Sequence, residues 1–167
     1  MRKHLMFAII MLLGTFALGG CQNSGDQTQQ GSQTAAAPAR PSSAGDTKAW
    51  QNYLISKVSA HMEGMTAKRP YLYFVPAGDS PAAQGQRDLQ LDQVTDTVLR
   101  TVLPGNLLAF GGPDSSTTAD FISQAFSQAA KGSFKNVIVM FVGDAADKDR
   151  VAKALAPSGA TYRFVQM

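Results

Sequence analysis

The sequence predicts a small α/β domain: a doubly wound, mostly parallel four-stranded sheet with flanking helices, preceded by a disordered tether and one leading helix. Three observations carry this reading. After residue 70, short apolar runs alternate with segments of helical period, the pattern of a parallel sheet with helical crossovers. One run, Val137-Ile138-Val139-Met140-Phe141-Val142, is apolar at every position, as in a strand covered on both faces. Residues 22–45 hold no aromatic residue and no Leu, Ile or Val, so that stretch cannot bury enough apolar surface to offset its ordering entropy.

Taken in order, the leading helix is expected over residues 46–66. Asp46 or Thr47 stands at its start, and Trp50, Tyr53, Leu54, Val58 and Met62 form one apolar stripe. Tyr71-Leu72-Tyr73-Phe74-Val75 reads as the first strand. A polar loop of about twelve residues, 76–87, is expected next, longer than the usual 2 to 6. A helix over residues 88–103 turns Leu91, Val94, Val98 and Val102 inward, and Pro104-Gly105 stops it. Leu107 to Phe110 forms the second strand, closed by Gly111-Gly112-Pro113. A helix over residues 117–131 presents Ile122, Ala125, Phe126 and Ala129. The run from Val137 is the third strand, residues 145–155 the last helix and residues 162–165 the last strand. The domain spans residues 46–167 and is Rossmann-like in the loose sense; strand order is left open.

The first residues read as a targeting segment. Arg2 and Lys3 precede a run from Leu5 to Leu18 that is almost wholly apolar. That run is shorter than the roughly 20 residues a membrane-spanning helix needs and suits a signal-peptide core. It ends in Leu18-Gly19-Gly20-Cys21, which resembles the lipobox of bacterial lipoproteins, with Gly19 where Ala or Ser is commoner. The resemblance implies a signal peptide over residues 1–20, lipid on Cys21 and a tether over residues 21–45. Gln22 rather than Asp after the cysteine implies sorting to the outer membrane, with the domain facing the periplasm. A flexible chain of this length averages about 27 Å end to end.

Composition narrows the chemistry. Cys21 is the only cysteine, so there is no disulfide framework and no cysteine-based metal site. The formal charge of +3 falls to about +1 once Arg2 and Lys3 are removed, and no basic cluster points to nucleic acid. With His4 in the signal segment, His61 is the only other histidine. It lies in the leading helix, away from the edge where a triad would be built. No G-x-S-x-G elbow, G-x-G-x-x-G turn or Walker A lysine is present. Asp88, Asp92 and Asp96 recur at four-residue spacing, as on a solvated helix face.

In parallel sheets, ligands bind beyond the carboxyl ends of the strands. Those ends carry Gly78-Asp79-Ser80, Gly111-Gly112-Pro113-Asp114-Ser115-Ser116 and Gly143-Asp144. Helix capping is the first reading of these Asp and Ser residues. The second places Asp79, Asp114 and Asp144 on one edge, with oxygen ligands suited to a hard cation. Asp114-Ser115-Ser116-Thr117-Thr118 resembles the Asp-x-Ser-x-Ser/Thr ion motif of von Willebrand type A domains, although there the motif follows the first strand and here the second. Gly111-Gly112 before a helix reads as a turn, with a phosphate cradle as the alternative. The residues singled out for ligand or partner binding are Asp79, Ser80, Arg87, Asp114, Ser116 and Asp144, with Gln84 and Gln86 beside them in the loop. No resident metal or cofactor is expected.

These features point to a membrane-anchored envelope lipoprotein acting as a non-enzymatic protein-interaction module. Its expected contacts are the membrane, through Cys21, and an envelope protein of the kind found in secretion or conjugation assemblies. The alternative is a small-ligand or divalent-cation-binding α/β domain, sensory or enzymatic, working at the carboxyl edge.

Overall fold

The computed structural model describes residues 38–100 and 102–167. The apolar run, Cys21 and most of the expected tether lie outside them. In chain order the elements are α1 (Thr47–Ser59), β1 (Tyr71–Phe74), α2 (Pro81–Arg100), β2 (Leu107–Gly111), α3 (Ser115–Ala125), β3 (Ile138–Gly143), α4 (Lys148–Leu155) and β4 (Thr161–Gln166). Single 3-10 turns, Ala145–Asp147 and Ala156–Ser158, flank α4.

The four strands form one parallel sheet in the order β1-β2-β3-β4. Sequential order with crossovers of one hand sends α2, α3 and α4 to the same face. There Val94 and Val98 of α2, Phe121 and Ile122 of α3, and Val151 and Leu155 of α4 pack on Leu108, Phe110, Val139 and Phe141. The other face is covered by α1, whose Trp50, Tyr53, Leu54 and Val58 meet Leu107, Ala109, Ile138, Met140 and Val142. Helices therefore lie on both faces, and β2 and β3 are buried at every position. β1 and β4, the two edge strands, are only partly covered.

Three helices differ from expectation at their ends. The helix α1 is capped by Asp46, whose side chain accepts from the Ala49 amide at 3.0 Å, as the sequence suggests. It ends at Ser59 rather than near residue 66. Met62 and Met65 still pack against the same sheet face, but they reach it from a turn in which Gly64 is left-handed at φ 79°. The helical period thus outlasted the helix.

The helix α2 begins at Pro81, not near residue 88. Ser80 accepts from the Ala83 amide at 3.2 Å, and Pro81 occupies the first helical position, where its missing N–H costs nothing. The expected long loop is therefore short, residues 75–80, and Gln84, Gln86 and Arg87 are helical. Finally, α3 starts at Ser115 and ends at Ala125, earlier at both ends than predicted.

Candidate functional site at the carboxyl edge

The carboxyl edge is built from the turns leaving β1, β2 and β3, and in each turn backbone and side-chain needs dictate the arrangement. After β1, the Arg87 guanidinium reaches back from α2. It donates to the carbonyls of Pro76 at 3.0 Å and Gly78 at 2.7 Å. Gln84 donates to the Asp79 carbonyl at 3.1 Å. Arg87 thus holds the turn in which Gly78 is left-handed. Ser80 is a cap, and Asp79 is exposed.

After β2, Asp114 caps α3: its carboxylate accepts from the Thr117 amide at 2.6 Å, and its carbonyl accepts from the Thr118 hydroxyl at 2.9 Å. Such a cap contributes about 1 kcal/mol. Gly111 and Gly112 are spacers. A Cβ on Gly111 would stand 2.5 Å from a Leu54 methyl, and one on Gly112 would stand 2.1 Å from the Val75 carbonyl oxygen. The close approach that the phosphate-cradle reading assigned to a ligand is thus taken at Gly112 by the neighbouring strand.

After β3, the structure departs from expectation. Asp144 precedes the 3-10 turn but makes no side-chain cap bond. Its amide donates to Ser115 Oγ at 2.8 Å, and its carboxylate turns outward to accept from Arg40 at 3.0 Å. The Arg40 guanidinium lies 5.7 Å from the centre of the Trp50 ring, and the Trp50 indole N–H donates to the Ser43 carbonyl at 3.0 Å. Residues 40–43, read from the sequence as tether, are therefore tied to the domain.

Ser115 is the pivot of the edge. It is buried, accepts from Asp144, and donates to Asp147 Oδ2 at 2.6 Å. Arg150 donates to Asp147 Oδ1 at 2.7 Å, to the Ser116 carbonyl and hydroxyl at 3.2 Å each, and pairs with Asp120. Burial of Asp147 opposes its ionisation, but the hydrogen bond from Ser115 and the bond and charge of Arg150 outweigh it. Its carboxyl consequently lies below the usual carboxylate range. A depressed folded-state pKa contributes stability that is present above the unfolded value, about 3.9, and lost as pH falls through the folded value. Acid titration followed by circular dichroism should therefore show the unsubstituted chain losing stability below about pH 4 more steeply than Asp147→Asn. Identical slopes would mean that the pair contributes nothing.

The structure joins Ser116 to Arg150 and Asp144 to Arg40, and leaves Asp79 apart. Among the described residues, no group of three His, Cys, Asp or Glu could hold a metal ion. Asp79, Asp114 and Asp144 therefore do not form the joint cation site that the sequence allowed; Asp114 is bound to an amide and Asp144 to a guanidinium. The resemblance to the von Willebrand type A motif reduces to a cap and a packed hydroxyl. His61 sits beyond the end of α1, its Nδ1 bonded to the Lys57 carbonyl at 2.7 Å. The Arg163 guanidinium of β4 takes the His61 carbonyl, so this histidine belongs to the opposite end of the sheet.

Sequence reasoning missed Arg40, Asp120, Asp147 and Arg150. The spacing of Asp147 and Arg150, three apart at a helix start, was a usable signal; nothing in the sequence links Arg40 to Asp144. Between α2 and α3, a groove of about 240 Å³ is lined by Arg87, Asp88, Leu91, Thr117, Asp120 and Phe121, among others. Its charges are mixed, and its volume is below that of usual small-molecule pockets, about 300–1,000 Å³. Comparison with protein-family models, with curated proteins and with solved structures gives no match.

Proposed function

We infer that the protein is a lipid-anchored envelope component whose α/β domain serves as a non-enzymatic interaction module. The observation that carries this reading is Leu18-Gly19-Gly20-Cys21 behind a charged start and an apolar run. The residue after the cysteine, Gln22, favours the outer membrane, and the domain then faces the periplasm. Several acyl chains on one cysteine would hold the protein firmly, since each buried methylene adds about 0.8 kcal/mol. The carboxyl edge supports the non-enzymatic half of the reading. Arg87, Asp114, Ser115, Asp144, Asp147 and Arg150 are engaged with one another, with Arg40 or with backbone, in the manner of a structural network. The partner expected is a protein of an envelope-spanning assembly.

The Cys21→Ser chain should lose the acyl mass increment and shift from the membrane fraction to unprocessed precursor or soluble protein. Mass spectrometry and fractionation check both. Unchanged mass and unchanged membrane retention would overturn the anchor. Crosslinking from intact membranes then tests the module, with stoichiometric recovery of one envelope protein as the expected result.

A further inference from the structure

The open edge of β1 is unlike that of β4. β4 carries Arg163, held by the carbonyls of His61 and Glu63, and a charge on an edge strand discourages pairing. β1 is Tyr71-Leu72-Tyr73-Phe74, with no charge, and Tyr71 is exposed. The Val75 amide donates to the Gly111 carbonyl at 2.8 Å, so Val75 faces β2. Backbone groups alternate sides along a strand, so Tyr73 also faces β2, while the N–H and C=O of Leu72 and Phe74 point to the open edge. Among the described residues, β1 pairs with β2 alone.

We propose that this edge is a homodimer interface, in which β1 pairs antiparallel with β1 of a second copy across a two-fold axis at Tyr73. In that register Leu72 stands opposite Phe74 of the other copy. All four outward N–H and all four outward C=O groups of the two strands then bond. Moving the axis to Leu72 sets Phe74 against Pro70, and moving it to Phe74 sets Leu72 against Pro76; each proline lacks the N–H the ladder needs. The flanking prolines thus select one register and confine the ladder to the strand.

Charge favours a second copy over another partner. The start of β1 follows Lys68-Arg69 and its end leads to Asp79, all exposed. Antiparallel self-pairing brings Lys68 and Arg69 of each copy toward Asp79 of the other, twice by symmetry, while the Arg87 guanidinium at that end is engaged by the Pro76 and Gly78 carbonyls. The result is a continuous eight-stranded sheet with α1 on the same face in both halves.

The test uses the full chain in mild detergent, with dimerisation measured by sedimentation. The unsubstituted chain should be dimeric. Arg69→Glu should weaken the dimer about tenfold, since two exposed pairs become repulsive, and Arg69→Glu with Asp79→Arg should restore it. Tyr73→Cys should form an intermolecular disulfide, because directly opposed residues of this type have Cα atoms about 4.5 Å apart. Both charge variants alter exposed residues, so they report even if Tyr73→Cys folds poorly. A monomer at every concentration, or a dimer indifferent to the charge exchange, would overturn the proposal; two anchors sharing a micelle would give the latter. Membrane retention through Cys21 is read separately and stands or falls independently of it.

Discussion

Phe110→Ala should cost about 3–5 kcal/mol and lower the thermal midpoint by well over ten degrees. Phe110 is fully buried on β2. Its ring stacks on Tyr73 at 5.0 Å and meets Phe121 and Phe126 at 6.2 Å each. It therefore joins the edge strand to α3 through one side chain. Alanine would leave a void that rings from two elements cannot collapse into without moving backbone. Against a total stability of about 5–15 kcal/mol, the loss is a large share of what holds the domain folded. Urea unfolding gives the measurement. Leu89→Ala, at a position 67% exposed, should change stability by no more than about 0.5 kcal/mol and is the matched control. Equal effects at the two sites would mean that the aromatic cluster does not hold the domain together.

Gly112→Ala is the second large effect, and its mechanism is steric rather than cavity-forming. The added Cβ would lie 2.1 Å from the Val75 carbonyl oxygen and 3.1 Å from the carbonyl carbon. Both are backbone atoms, so no side-chain rotation relieves the clash. The carboxyl end of β1 must move from β2, weakening the bond from the Val75 amide to the Gly111 carbonyl. Overpacking of this kind costs about 1–3 kcal/mol. Hydrogen exchange should localise the damage: the Val75 amide loses protection while amides of β3 keep theirs. Wild-type stability in Gly112→Ala would mean that this approach is not needed to seat the strand.

The strands were legible because burial on both faces leaves a continuous apolar run, and Leu107 to Phe110 and Val137 to Val142 have no other simple reading. Their alternation with helical segments was enough for a parallel sheet. Strand order was not legible, since every order satisfies the same apolar pattern. The start of α2 was misplaced because Pro81 and Gly85 are ordinarily breakers. At the first position of a helix capped by Ser80, Pro81 is instead a helix starter, and Gly85 is tolerated inside. The capping role of Asp114 could be read from its place before a helix, whereas Asp144 in the same pattern does something else. Its carboxylate is claimed by Arg40, 104 residues earlier, a pairing that only the folded chain creates. The joint cation site failed for the same reason: residues on one edge are neighbours in topology, but their partners are decided locally.

The consecutive strand order also bears on how the sheet can be assembled. Each strand after the first hydrogen-bonds to the strand made immediately before it, so no strand has to wait for a partner encoded far downstream. A chain released amino end first can add β2 to β1, then β3, then β4, with each crossover helix closing over the pair just completed. Each closure spans a single crossover, which limits the chain entropy lost at each step. The unpaired growing edge passes from β2 to β3 and comes to rest on β4, the strand that carries Arg163. In a sheet whose order doubled back, a central strand would stand half-paired until the last segment arrived. Here the interior strands are sheltered in the order in which they appear.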